Sequence, residues 1–355
     1  TFSVNFTDKR YDEAFFQAAA LSSLQTQHRR VHCSEADIGR IFPQIVWHCE
    51  TPIIRTAPAP LFLLSDLVRR SGFKVVLTGE GADEIFAGYN IFKEDKVRRF
   101  WAKNTASTMR PLLLQRLYPY VFHQKDGKAG RFIQGFFKKN LSQTASPVFS
   151  HLLRWQNTSQ LLAFLADEFQ QGNDGIDRFI QRYTATLPAD FDDWNPLSKA
   201  QYTEMSIFLS NYLLASQGDR MAMGHGGEGR HPFLGHRVIE FAFRVPPRFR
   251  LNGLTEKFVL KQAAGFFVPG EIIARAKQPY RAPISKCFVG DAAPEYVEAL
   301  LSEAAIRESG YFNPARVRQL HQKCLRHQGQ LLSERENMAL VGILSTQLLD
   351  HYFVR

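Results

Sequence analysis

One stretch of this chain narrows its possible folds more than any other: KVVLTGEGADEIFAGY, residues 74–89. KVVLT at 74–78 reads as a short apolar strand of the kind covered on both faces of a parallel sheet. A turn containing Gly79 and Gly81 follows, then a helix start carrying Asp83 and Glu84. Glycines let the backbone approach a ligand closely, and the free N–H groups of a helix start favour phosphate oxygens. In a parallel sheet such a loop lies at the carboxyl ends of the strands, where ligands bind. The same residues also suit a plain turn, with Asp83 as helix cap and Glu84 complementing the helix dipole.

The flanking sequence agrees with a sheet. TFSVNF at 1–6 alternates as a strand does, and 28–32 is a second strand. Helices are predicted at 11–24, with Ala14, Phe15, Ala18, Ala19 and Leu21 on the apolar side, and at 35–48 and 61–70. Alternating β and α elements predict a parallel sheet with right-handed crossovers. From Ile91 onward the pattern is helical only, with a polar loop at 187–195. The expected fold class is α/β, a parallel sheet followed by a mainly helical portion. One folding unit, 1–355, is expected to comprise a partial α/β nucleotide-binding part (1–90), a basic helical insert (91–195) and a helical part (196–355).

Charge is concentrated in that insert. Residues 93–139 carry 12 basic and 3 acidic side chains, so the rest of the chain holds about +1 of the net +10. Aromatics are interleaved with the cations, as a nucleic-acid footprint would have them. They recur three or four apart, however, which predicts amphipathic helices with aromatics inward and cations in water. No RNA-binding or helix-turn-helix signature is present, so no nucleic-acid partner is expected. No run approaches the ~18 apolar residues of a membrane-spanning helix, and no basic-then-apolar leader opens the sequence. Cys33, Cys49, Cys287 and Cys324 form no C-x-x-C pair, which argues against a disulfide scaffold or a cysteine zinc site. A cytoplasmic setting is the expectation.

Three blocks carry a family resemblance. TGEGADEIFAGY resembles S-G-E-G-x-D-E-x-F-G-G-Y of the synthetase domain of glutamine-dependent asparagine synthetases. GDRMAMGHGGEGRHPFLGH at 218–236 is similar to V-D-R-M-S-M-A-H-S-V-E-A-R-x-P-F-L-D-H, and AKQPYRAP at 276–283 to P-K-Q-x-x-x-x-P. TFSVNF is similar to the strand that follows the family's pyrophosphate loop. The resemblance implies a sheet of the adenine-nucleotide alpha-hydrolase (ATP pyrophosphatase) type. It also implies adenylation of the aspartate side chain by ATP with Mg²⁺, then attack by ammonia to give asparagine, AMP and pyrophosphate. The implied partners are aspartate, ATP and ammonia from a glutaminase domain. A homodimer is among the assemblies it admits.

Carried over residue by residue, the resemblance sets Val4, Thr78 and Gly79 against the nucleotide. Thr78 keeps the hydroxyl of the family's serine. Glu80 falls on the glutamate tied to adenylate formation and ammonia attack, where a carboxylate can accept a proton. Lys277 matches the lysine that offsets phosphate charge. Asp83 and Glu84 are placed for Mg²⁺-pyrophosphate or the substrate amino group, with Asp83 the carboxylate offered to Mg²⁺. Asp219, Arg220, Glu228 and Arg230 are candidates for substrate or Mg²⁺-pyrophosphate contact, or for buried pairing between helices beneath the site. His225 and His231 flank that set without two further ligands at coordinating spacing, so no protein-held metal cluster is expected.

Three departures stand against the pattern. The S-G-G-x-D-S loop that cradles ATP phosphates occurs nowhere in the 355 residues. The glutaminase domain with its N-terminal cysteine is also missing; both are expected upstream of Thr1. Gly235 stands for the usual Asp, and Gly226–Gly227 for Ser-Val. An amidating or lactam-forming relative acting on another carboxylate, or an inactive fragment, is the alternative reading.

Overall fold

The computed structural model describes residues 1–9, 11–118, 128–170, 175–275, 277, 278, 280–290, 293–330 and 332–355. Residues 119–127 of the basic insert, with Tyr120 and Phe122, and Ala276 and Pro279 of the third block lie outside them.

The first part alternates as its sequence predicts: β1 (Phe2–Phe6), α1 (Ala14–Leu24), β2 (Arg29–Cys33), α2 (Glu35–Cys49), α3 (Pro58–Arg70), β3 (Val75–Leu77), α4 (Ala82–Ile85) and α5 (Asn90–Ala102). Ser34 starts α2 with a capping box, its hydroxyl accepting from the Asp37 N–H while Asp37 accepts from the Ser34 N–H. Ile38, Ile41, Phe42, Ile45, Val46 and Cys49 recur every three or four residues and are buried. They pack in the main core with Leu340, Val341, Ile343, Leu344 and Leu348 of the C-terminal helix, Glu334–Phe353. Each such side chain contributes roughly 1.5–3 kcal/mol by leaving water.

The sheet departs from expectation. Instead of one sheet, two parallel two-stranded ribbons form among the described residues, β1 with β2 and β3 with β4 (Glu228–Arg230). The ribbons meet through side chains, the Phe2 and Phe73 rings lying edge to face at 5.6 Å. β3 is not the covered strand its composition predicts: Val75 is 48% and Leu77 77% exposed. A two-stranded ribbon has no neighbour to cover both faces. β4 also corrects the expectation that all elements after Ile91 are helical. Its pairing with β3 brings the 218–236 block beside the glycine-rich loop.

Pro196–Glu204 continues through a wide π-type stretch, Met205–Asp219, into Arg220–Met223. Helices at Lys128–Lys138, Phe149–Thr158 and Ile176–Thr184 follow the helical pattern expected after Ile91. The insert's cations only partly follow the picture of a solvated face. In α5, Lys93, Glu94, Asp95 and Arg98 are buried together with Phe92, Val97 and Trp101. Arg98 donates to the carbonyls of Phe137, Phe149 and Lys139, while Arg99 pairs with Asp95 and Arg154 with Glu94. Conversely, Phe100 and Phe132 are exposed. Among the described residues no helix is long and apolar enough to cross a membrane.

Candidate active site

β3 delivers the chain into the loop Thr78–Gly81. The Thr78 N–H donates to the Arg230 carbonyl at 2.9 Å, extending the pairing of β3 with β4 by one residue. Gly81 lies at φ +90°, and a Cβ there would stand 2.1 Å from Leu234 Cδ2. Only glycine satisfies both constraints. Gly88 has a different reason, since a Cβ would meet Asp83 Oδ1 at 1.9 Å. The two glycines let the first block close against the second and leave Asp83 its place.

Asp83 is held by two ammonium groups, Lys257 Nζ at 2.8 Å and Lys277 Nζ at 3.0 Å. Lys277 comes from the third block; Lys257 was not signalled by any motif. Lys257 sits at φ 50°, where helix Phe258–Ala264 begins, and this turn aims it back at α4. Glu80 is half-buried between these charges. Burial pushes its carboxyl above the usual range, His231 and Lys277 pull it down, and Asp83 pushes it up. Beneath the loop, Glu84 is 1% exposed and accepts from the Tyr89 hydroxyl at 2.9 Å, its second oxygen having no hydrogen bond among the described residues. Burial raises it to about 7 against the opposing Tyr89 bond. Glu84 thus faces the interior, unlike Glu80 and Asp83.

Lys277 is tied down from behind. Its N–H donates to Glu256 Oε1 at 3.0 Å, and Glu256 also takes Lys93 Nζ at 2.6 Å and Lys261 Nζ at 3.0 Å. Burial alone would raise Glu256, but the lysines overcome it and hold its carboxyl at about 2.

The second block contributes unevenly. Thr78 Oγ1 lies 2.7 Å from His231 Nδ1, and Asp219 Oδ1 lies 3.6 Å from His231 Nε2. Glu228 and Arg230 pair with each other at 3.1 Å with more than half of each side chain exposed. Arg220 turns away to Glu50 and the His48 carbonyl. Buried Glu–Arg pairing beneath the site is therefore not what these four residues form. Val4 lies on the other ribbon, packed against the main core, and its carbonyl accepts from Gln17.

No group of three or more His, Cys, Asp or Glu among the described residues is placed to hold a metal. Asp83 does not fit Mg²⁺ as it stands, because each of its oxygens is already paired with a lysine. A cavity of about 720 Å³ lies on the Val4 side instead, lined by Asp8, Tyr11, Arg55, Tyr280, Arg281 and Lys286 among others. None of Thr78, Glu80, Asp83 and Lys277 lines it. Converging charges rather than cavity size single out the Thr78–Lys277 cluster as the candidate site.

Comparison with known proteins decides the family. The asparagine synthase model matches residues 1–350. The chain belongs to that family. It is 28% identical over 323 residues to the amidase chyE of Penicillium rubens, covering 87% of this chain and 47% of that protein. It is 26% identical over 287 residues to a putative asparagine synthetase [glutamine-hydrolyzing] of Mycobacterium tuberculosis, covering 80% of this chain and 41% of the relative. Asparagine synthetase [glutamine-hydrolyzing] 1 of Bacillus subtilis is 24% identical over 307 residues, with 86% and 45% covered. The chain spans less than half the length of these relatives.

Proposed function

We propose that this asparagine synthase family chain is the synthetase part of an ATP-dependent amide-forming enzyme, built on a sheet of the adenine-nucleotide alpha-hydrolase type. The observation that carries the reading is the convergence of three distant sequence blocks on one loop. Thr78 bonds His231, and Asp83 pairs with Lys277.

A carboxylate does not react with ammonia at neutral pH, because its oxygen is a poor leaving group. In the proposed reaction the aspartate side chain attacks the α-phosphorus of ATP, releasing pyrophosphate and leaving an acyl-adenylate. Ammonia supplied from glutamine then attacks the acyl carbon; AMP departs and the nitrogen loses a proton. Thr78 and Gly79 line the nucleotide, with Val4 on its adenine side. Lys277 offsets charge on the departing phosphates. Glu80 accepts the proton, and a carboxyl raised by burial is better matched to that task than an exposed one. Mg²⁺ would arrive with the phosphates rather than at a preformed protein site.

The test is aspartate-dependent exchange of pyrophosphate into ATP by the full-length protein, together with ammonia-dependent asparagine formation. Absence of both refutes the reading. A second reading, amidation of another carboxylate, is favoured by Gly229 and Gly235, which stand for the Ala and Asp of the family pattern, and by a relative named as an amidase. Exchange supported by other carboxylates but not aspartate would select it.

A further inference from the structure

Glu256 and Lys257 are neighbours in sequence, and between them they meet both ends of Lys277. Glu256 accepts the Lys277 backbone N–H at 3.0 Å. Lys257 shares a carboxylate with the Lys277 ammonium: Asp83 Oδ1 lies 2.8 Å from Lys257 Nζ, and Asp83 Oδ2 lies 3.0 Å from Lys277 Nζ. The backbone fixes Lys257 in this place, its N–H donating to the Phe86 carbonyl at 3.1 Å, just past the end of α4. A Cβ on Gly88 would lie 2.6 Å from Lys257 Cε, so that glycine also leaves the path this side chain takes. Asp83 Oδ1 makes no aligned hydrogen bond among the described residues, so Lys257 meets it as a charge.

We propose that Lys257 is a positioning residue that lets the Lys277 ammonium leave Asp83 for a phosphate oxygen. The inference rests on the reading that Lys277 offsets charge on the departing phosphates. Alone, Asp83 and Lys277 would form a closed ion pair without net charge, and a phosphate would compete with the whole carboxylate for one ammonium. With Lys257 on the other oxygen, two cations share one anion. The trio carries a net positive charge, and Asp83 stays paired when Lys277 turns away.

The two lysines are not equivalent in this exchange. Lys257 is enclosed by Gly88 and the end of α4, whereas the Lys277 ammonium also lies 5.7 Å from the centre of the Tyr89 ring. A ring face attracts a cation without a full opposing charge, so Lys277 is the one with a second, weaker partner. Attraction between unit charges rises steeply as water is excluded, and Asp83 is only 14% exposed. Losing Lys257 would therefore tighten the hold of Asp83 on Lys277.

Inorganic pyrophosphate is the probe, titrated calorimetrically into the full-length protein in EDTA, so that no Mg²⁺ bridges it to Asp83. Lys257→Gln should weaken binding by about tenfold, the worth of a hydrogen bond to a charged group. In a Lys277→Met background the same substitution should change affinity by less than about twofold, because it acts through Lys277. Asp83→Asn should restore most of the affinity lost by Lys257→Gln, since no carboxylate then holds Lys277. A role confined to bracing α4 would not be rescued in this way, and failure of that rescue overturns the proposal. So does an equal loss with and without Lys277, because Lys257 would then meet the phosphate itself. Unchanged binding by Lys257→Gln also overturns it, while a loss in Lys277→Met leaves the phosphate reading standing. If wild type binds no pyrophosphate, or Lys277→Met binds it as wild type does, the phosphate reading falls and takes this inference with it.

Discussion

Replacing Glu256 by glutamine removes one charge from behind the site, and the structure gives the cost by two routes. Glu256 is 3% exposed and Lys93, its partner at 2.6 Å, is 6% exposed. Breaking a buried pair from one side strands the other charge and costs about 3–5 kcal/mol. The second route is proton linkage. The folded carboxyl sits at about 2, against roughly 4.3 in an unfolded chain, and each unit is worth about 1.4 kcal/mol. A depressed carboxyl stabilises the fold above the unfolded value and loses that contribution as pH falls toward the folded one. The predicted contribution is about 3 kcal/mol at neutral pH, shrinking to about half of that near pH 3. Urea unfolding of wild type and Glu256→Gln across this range is the assay. A difference below about 1 kcal/mol at neutral pH, or one that does not shrink on acidification, would refute the reasoning. Because Glu256 also accepts the Lys277 N–H, the variant should lose amide synthesis at temperatures where it remains folded.

Four further outcomes can be checked. Glu80→Gln in the full-length enzyme should lower ammonia-dependent turnover by about 10²–10⁴-fold while ATP affinity moves by much less than tenfold; unchanged turnover would make Glu80 a turn residue only. Glu84→Gln should stabilise the fold above neutral pH by about 3 kcal/mol and hardly at all below about pH 4, because a carboxyl raised to about 7 disfavours folding only as pH climbs from the unfolded value through the folded one. A thermal melt at both extremes tests that sign. Gly81→Ala should cost more than about 2 kcal/mol, because it combines a disfavoured φ with a Leu234 clash; recovery of part of the loss by Leu234→Ala would confirm the contact. RNA retention in a filter-binding titration should stay weaker than about micromolar at physiological salt, since α5 turns several of the insert's charges inward.

Much of the candidate site was legible because its residues are local in sequence. Thr78, Gly79, Glu80, Asp83 and Glu84 share one strand–turn–helix unit, and its glycines have geometric reasons that composition alone suggests. What periodicity could not supply was partnership across the chain. Lys257 reaches Asp83 through a left-handed backbone turn, and no pattern of apolar residues encodes that turn. β4 was missed because Glu-Gly-Arg has little strand propensity of its own; it is extended because the edge of β3 supplies hydrogen bonds. The basic insert was misjudged for a related reason. A count of cations cannot distinguish an exposed lysine from Lys93, whose carboxylate lies far along the chain at Glu256.

These partnerships change what the helical part is for. Gln201 donates to the carbonyls of Glu84 and Ile85 at 2.6 and 2.8 Å, satisfying the buried end of α4. Arg250, 1% exposed, in turn fixes Gln201 and Ser198 at 2.5 and 2.9 Å. Lys257 and Lys277 hold Asp83 from the far side, and Glu256 anchors Lys277. A four-residue helix such as α4 cannot hold its own shape in water, because it closes too few hydrogen bonds to offset its nucleation. Its geometry is imposed by residues more than a hundred positions away. The helical region is therefore the frame that aims the loop's carboxylates, and substitutions at Gln201 or Arg250 should act on chemistry through α4 even though neither belongs to the loop.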